Sequence, residues 1–306
     1  MGRVVVLGVF VADTAYRADR APKLGETILG RTFTLGPGGK GSNQAVASAM
    51  AAAETHLITR LGVDPFADMA RATWGRAGVI AAVSAHADSY TGAAYIFVEH
   101  ATGQNAIIIC PGVAGTICEA DIDGRAGLIG SADVFITQLE QPIPVAMHAL
   151  TLARRAGVTT VLNPAPAAAL PEGMLALCNW VTPNESEAEA LTGLPVTTAD
   201  QALVAARALR AMGAGAVIVT LGAQGALLHD GRQTQHIPVM SAGPVLDTTG
   251  AGDAFNGGFV AALARGDDPL AAARFGAATA GISVTRAGTA PSMPSLAEIE
   301  ALLAGV

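Results

Sequence analysis

Aromatic residues make up only 4% of this 306-residue chain and charged residues only 14%. The hydrophobic share of 51% therefore rests on Ala, Val, Leu and Ile, a mix that suits Ala/Leu helices packed on Val/Ile strands. Positive charge is scarce too. With 18 Lys and Arg against 25 Asp and Glu, the formal net charge is −7. That balance excludes a broad electrostatic footprint for nucleic acid or an anionic membrane, so phosphate must be held locally, by backbone N–H groups and a few cations. The three cysteines, Cys110, Cys118 and Cys178, show no CxxC or His-rich spacing. They read as incidental thiols in a reducing compartment. No window approaches the roughly 18 uninterrupted apolar residues of a membrane span. The apolar start, Val4 to Ala12, follows a single Arg3, meets Asp13 at once and lacks a small-x-small cleavage site, so it reads as a buried strand and not a signal segment. A soluble, cytoplasmic protein is expected.

Short apolar runs alternate with Ala-rich helical stretches, the signature of βαβ units and a mostly parallel sheet. The strand candidates are Val4–Leu7, Thr55–Arg60, Val134–Leu139, Thr159–Asn163, Trp180–Pro183 and Ala216–Leu221. The helix candidates are Ser42–Ala53, Pro144–Ala156, Glu185–Leu191, Ala199–Met212, a long one from Gly252 or Asp253, and Pro269–Ser283. Two stretches break the rhythm. Asp13 to Phe33 is polar with a turn at Pro22–Gly25, and Thr91 to Ile109 reads as a hairpin, Ala93–Glu99 and Gln104–Ile109, around a Gly103 turn. Such strands predict a small second sheet. With no repeat and no linker, the chain reads as a single domain over 1–306, with insertions at about 13–33 and 91–109.

Three glycine-rich segments compete for a phosphate site. Gly36-Pro-Gly-Gly-Lys-Gly41 matches G-x-G-x-x-G, but it follows the irregular insertion and not the opening strand, so an NAD-dependent dehydrogenase is poorly supported. A Walker A loop fails as well, because Gly41 follows Lys40 where Ser or Thr is required. In Asp247-Thr-Thr-Gly-Ala-Gly-Asp253, small residues run directly into a helix. Consecutive N–H groups at a helix start, reinforced by the helix dipole, suit the charge on a transferring phosphoryl group. An Asp in a first turn is often only a cap, yet Asp247 and Thr248 or Thr249 are present for that role. Asp253 is thus free to take a proton from an attacking hydroxyl. The third segment, Thr220-Leu-Gly-Ala-Gln-Gly225, reads alone as a turn after a strand.

Together these segments resemble the PfkB carbohydrate kinases, and among them the ribokinase branch. The likeness spans nearly the whole chain. It is carried by Gly38-Gly-Lys-Gly-Ser-Asn43, Asn163-Pro-Ala-Pro166, Thr182-Pro-Asn184-Glu-Ser-Glu187, Thr220 to Gly225, Asp247 to Val260, and Val284 to Ser292. It implies an α/β ribokinase-like three-layer sandwich with a mostly parallel central sheet and a small β-sheet lid, built from the two irregular stretches and often shared in a homodimer. It further implies an ATP-dependent kinase for a primary hydroxyl, D-ribose first, with another sugar such as 2-deoxyribose or a nucleoside as alternatives. A catalytically silent sugar- or nucleotide-binding protein is the rival outside the enzymes.

By the same resemblance Asp253 is the base, and Gly250, Ala251 and Gly252 form the anion hole. Asp13, Gly39, Lys40, Asn43 and Glu140 hold the sugar. Asn184, Glu187, Thr220, Gly222, Gly225 and Gly252 face ATP, with Asn184 and Glu187 serving the Mg²⁺–phosphate network from one helical face. Asp247, Thr249, Ser283, Arg286, Gly288 and Ser292 surround an activating K⁺, Arg286 through its carbonyl. Two positions depart from the family pattern. Val11 stands where the ribokinase branch carries Asn, two residues before Asp13, and leaves a sugar hydroxyl without a partner. Ala52 stands where Gly or Ser is usual, with an expected effect on helix packing alone.

Overall fold

A computed structural model describes residues 2–305. Thirteen strands fall into two sheets: β1 (Arg3–Leu7), β2 (Val11–Ala18), β3 (Thr32–Gly38), β4 (Glu54–Leu61), β5 (Ile80–Ala85), β6 (Thr91–Glu99), β7 (Asn105–Gly112), β8 (Val134–Thr137), β9 (Thr159–Leu162), β10 (Trp180–Val181), β11 (Ala216–Thr220), β12 (Ala226–His229) and β13 (Thr234–Ile237). The helices are α1 (Lys40–Met50), α2 (Pro65–Ala77), α3 (Glu119–Asp123), α4 (Ala126–Gly130), α5 (Ile143–Arg155), α6 (Glu185–Thr192), α7 (Ala199–Ala211), α8 (Ala251–Arg265), α9 (Pro269–Ser283) and α10 (Leu296–Ala304).

The large sheet runs β13-β12-β11-β10-β9-β8-β1-β4-β5. It is parallel from β11 to β5, and β12 and β13 close one edge antiparallel. Alternation along its strands sorts the core into two layers. Val4 and Val6 of β1 join α1, α2, α8 and α9 on one face. Val5 and Leu7 join α5, α6 and α7 on the other. Burial on both faces is why these strands read as unbroken apolar runs. On the first face α1 and α8 are nearly in backbone contact. A methyl placed on Gly257 of α8 would lie 2.4 Å from Cβ of Ala47 and 2.7 Å from the carbonyl oxygen of Gln44.

The second sheet has the order β3-β2-β6-β7, with β2 and β6 parallel and the outer pairs antiparallel. Its strands are the two irregular stretches, extended to Val11–Gly38 and Thr91–Gly112. No helix among the described residues is long and apolar enough to cross a membrane.

Several boundaries differ from expectation. Helix α1 ends at Met50, and Ala52 lies beyond it at φ 65, in the left-handed region. That corrects the reading of the Ala52 departure. What the position demands is a backbone that glycine adopts freely and alanine adopts at a cost of about 1–2 kcal/mol, and helix packing is not involved. The strand expected over Trp180–Pro183 keeps only two paired residues, because the chain turns at once into α6.

Candidate active site

Helix α8 begins where Gly250 takes the left-handed conformation, φ 78, as its N-cap. A side chain there would be strained and would also press on Thr289, whose Cγ2 lies 3.2 Å from the ideal Cβ position. The N–H of Ala251 donates to the Thr248 carbonyl and that of Ala254 to the Gly250 carbonyl. Between them, Gly252 and Asp253 offer the free N–H groups of a helix start. A methyl on Gly252 would meet nothing within 4 Å, so this helix end faces open space. It lines a cleft together with Lys40, Asn184, Glu187, Thr220 and Asp253.

Asp253 is 7% exposed. One carboxylate oxygen accepts from Asn43 Nδ2 and the other from Gln44 Nε2, each at 3.0 Å. Burial pushes its pKa up, against the opposing pull of Lys40 and of the two amides. Lys40, the first residue of α1, donates its backbone N–H to Glu140 Oε2 at 2.7 Å. Burial alone would lower its ammonium pKa, but Asp253, Glu140 and Glu187 outweigh burial and hold it raised. Asp13 is pushed up to about 6 by burial and then by Asp253. Glu140 rises to about 7 through burial, with Lys40 opposing and Asp253 and Asp13 adding to the rise. The structure thus gathers Asp13, Gly39, Lys40, Asn43, Glu140 and Asp253 from β2, the start of α1, the loop after β8 and α8. A buried carboxylate cluster around one ammonium is costly without a ligand to share its hydrogen bonds.

That cost has a measurable signature. The folded-state pKa of Glu140, about 7, lies above its unfolded value of 4.5. Between those values the native state binds the extra proton, so this group adds stability as pH falls. Ligand-free wild type should therefore gain melting temperature relative to Glu140→Gln between about pH 8 and about pH 6. Parallel pH curves for the two proteins would show that Glu140 titrates elsewhere.

Asn184 and Glu187 form a capping box. Asn184 Oδ1 accepts from the Glu187 N–H, while Glu187 accepts from both the backbone and the side-chain amide of Asn184. They are therefore joined as N-cap and third residue, not as two positions on one helical face. Glu187 is 7% exposed, a buried carboxylate at the edge of the cleft and not a solvated helix acid. Thr220 reaches the same cleft from the end of β11. Gly222 and Gly225 do not line it. A methyl on Gly225 would come within 2.1 Å of the Ile237 carbonyl, so that glycine answers to the β12–β13 backbone.

Asp247 accepts from the backbone N–H groups of Thr249 at 2.9 Å and Gly288 at 3.0 Å, tying the loop before α8 to the segment after α9. Burial raises its pKa, but these hydrogen bonds win and hold it lowered. Ser283 and Ser292 donate to the nearby carbonyls of Ala280 and Thr289, and the Arg286 side chain turns away to Glu298. Val11 is 2% exposed and sits in the apolar cluster of Val9, Ala94 and Leu139, outside the cleft lining.

Asn163, Thr182 and Asn256 also line the cleft, and Gln44 grips Asp253, although sequence reasoning gave none of them a role, and Thr248, read from sequence as a cap, lines it too. Asn163 and Thr182 carried a usable signal, as polar residues directly following buried parallel strands, where α/β sheets place their ligands. Gln44 and Asn256 sit inside helices and carried none.

Phosphoryl transfer to an alcohol is the chemistry that a buried carboxylate beside an anion-receptive helix start suits, and it makes kinases the class to which this cleft points. Residues 1–296 match the pfkB family carbohydrate kinases, and the chain belongs to that family. A ribokinase of Staphylococcus aureus is 38% identical over 300 residues, covering 97% of this chain and 98% of the relative. A deoxyribokinase of Salmonella typhi is 36% identical over 304 residues, covering 98% of each. The structure of Arabidopsis thaliana ribokinase complexed with ribose and ATP superposes with a TM-score of 0.93 at 31% identity, covering 99% of this chain and 98% of that one.

Proposed function

We propose that this enzyme transfers the γ-phosphoryl group of MgATP to the 5-hydroxyl of D-ribose, giving ribose 5-phosphate. The observation that carries the reading is Asp253, buried, gripped through both oxygens and set in the first turn of the helix whose free N–H groups face the cleft. Asp253 takes the hydroxyl proton, and the sugar oxygen bonds to the γ-phosphorus. The bond from that phosphorus to the β–γ bridging oxygen breaks, and ADP leaves. The free N–H groups of Gly252 and Asp253 stabilise the transferring phosphoryl, and Gly250 and Ala251 form the turn that exposes them. Asp13, Gly39, Lys40, Asn43 and Glu140 hold the sugar. The orphaned Oδ1 of Asn43, buried without a partner, is an acceptor left over for a sugar hydroxyl.

Asn184, Glu187 and Thr220 serve the nucleotide, and Gly222 and Gly225, outside the cleft lining, shape the turn after β11 that follows Thr220. The Mg²⁺ that arrives with ATP offsets phosphate charge, and the buried Glu187 carboxylate fits its hydration shell. The residues from Asp247 to Ser292 fit a K⁺ held largely by backbone carbonyls, because Asp247 already draws the two loops together and the Arg286 side chain points away. Potassium there would order the anion hole.

The outer face of the small sheet supports a homodimer through this lid. Tyr16, Phe33, Leu35, Tyr95 and Ile108 are 38% to 62% exposed, and the Tyr16 ring lies 5.1 Å from Phe33 and 5.5 Å from Tyr95. Aromatic and aliphatic side chains on one lid face are a surface that a second copy would bury. We read the whole chain as one cytoplasmic kinase domain, with the lid as its two insertions.

Val11 favours one second reading, 2-deoxyribose, since an apolar side chain two residues before Asp13 offers a sugar hydroxyl no hydrogen bond. A coupled ADP-release assay over a panel of sugars and nucleosides, run with and without K⁺, tests these readings. Ribose as the leading acceptor, faster turnover in K⁺ and a solution mass twice the chain's 30.6 kDa are expected. No sugar-dependent ADP release anywhere in the panel would refute the kinase assignment.

A further inference from the structure

Gln44 is fully buried, lies one residue beyond Asn43 on α1, and spends all its polar groups inside the protein. Its Nε2 donates to Asp253 Oδ1 and to Asn163 Oδ1, each at 3.0 Å. Its Oε1 accepts from Gln138 Nε2 at 2.6 Å. A carboxylate only accepts, so Asp253 fixes which end of the Gln44 amide faces it, and Gln138 secures the other end. Asn43 differs, because its Oδ1 is unpaired. Asn43 is therefore equipped to meet a ligand, whereas Gln44, with each polar atom engaged inside the protein, is equipped to hold Asp253.

Gln138 is itself wedged. A methyl on Gly8 would lie 2.5 Å from Gln138 Oε1, and one on Gly41 2.8 Å from it. That same oxygen is buried with no hydrogen-bond partner among the described residues. If packing were the only requirement, an apolar side chain of this shape would serve with no unpaired carbonyl. The amide of Gln138 is explained by the donor it supplies to Gln44.

We propose that Gln44, anchored by Gln138, is a positioning residue for the proton transfer, fixing the Asp253 carboxylate in the orientation that receives the sugar proton. The inference rests on the reading of Asp253 as the base. With Asn43 on one oxygen and Gln44 on the other, the carboxylate cannot rotate about its Cβ–Cγ bond without losing both donors. The two amides also favour the ionised form that a base needs before it acts. The charged groups around Asp253 are Lys40, which favours its ionisation, and Asp13, Glu140 and Glu187, whose own pKa values Asp253 raises.

The test compares Gln44→Met, Gln138→Met, Asp253→Asn and the double variant Gln44→Met/Asp253→Asn, each first checked for a cooperative melt. Gln44→Met should lose about 10- to 100-fold in kcat, the effect of one charge-assisted hydrogen bond, with KM for ATP little changed. The acid limb of its kcat profile should move to higher pH, because the ionised carboxylate has lost a donor. In the Asp253→Asn background the same substitution should cost nothing further. An unmoved acid limb with wild-type kcat, or an equal loss in both backgrounds, overturns the positioning role. Should Gln44→Met fail to fold, Gln138→Met takes its place, with a smaller loss in the same direction, and an unmoved profile there is equally fatal. Near-normal turnover in Asp253→Asn would instead remove the base assignment, so the two failures are told apart.

Discussion

Asp253→Asn should still bind ATP while turning over about 10²- to 10⁴-fold more slowly, the loss that follows removal of a general base. The substitution keeps the size of the side chain and removes its proton affinity. It also creates a conflict. Both carboxylate oxygens accept from amide donors, Asn43 Nδ2 and Gln44 Nε2, and an asparagine must present its own NH₂ to one of them. The loss should therefore appear in kcat at every pH. Calorimetric titration with ATP should show affinity within a few-fold of wild type, because the helix N–H groups and the Asn184–Glu187 box are untouched. Near-wild-type turnover, whatever the ATP affinity, is the result that would move the base elsewhere.

Val11→Asn should raise kcat/KM for ribose over that for 2-deoxyribose by about 10- to 100-fold. Val11 and Asp13 are two apart on β2, so strand alternation puts them on the same face of the small sheet. At 2% exposure among Val9, Ala94 and Leu139, an asparagine amide would have no ready partner in the free protein. It should lower the melting temperature of that form, and ribose should restore more stability to the variant than to wild type. A ribose to 2-deoxyribose ratio that is the same in both proteins would show that Val11 does not read the sugar.

The sequence made the parallel sheet legible because its strands are buried on both faces and so stand out as apolar runs against Ala-rich helices. The start of α8 was legible for a different reason, since small residues from Thr248 to Gly252 run straight into a helical stretch and mark a turn whose N–H groups converge. Helix α2, strands β12 and β13, and helix α10 drew no expectation. The two strands are four residues each, and β13 alternates polar residues too weakly to declare itself. Ala52 hid its left-handed backbone, because alanine gives no sign of a positive φ.

The polar network around Asp253 was illegible for a deeper reason. Gln44 is 209 positions from Asp253 in the chain, and an amide inside a helix has no periodicity that reveals its partner. The link between Gln138 and Gln44 spans 94 positions and depends on the bare backbones of Gly8 and Gly41, whose closeness to the Gln138 amide no motif reveals. Motif resemblance located the neighbourhood, and tertiary packing alone decided which side chains meet there.

The contact at Gly257 limits how this enzyme can be made more robust. Replacing glycine with alanine is a standard route to higher thermal stability, since it restrains the unfolded chain. That route is open at Gly75, in α2, where an added methyl meets nothing within 4 Å. At Gly257 the methyl would push α1 away from α8 and carry the Asn43 and Gln44 donors off the carboxylate they hold. A displacement of about 1 Å is enough to cost such a site much of its rate. Selection for heat resistance should therefore accumulate alanines on the outer helices and leave the α1–α8 crossing as it is.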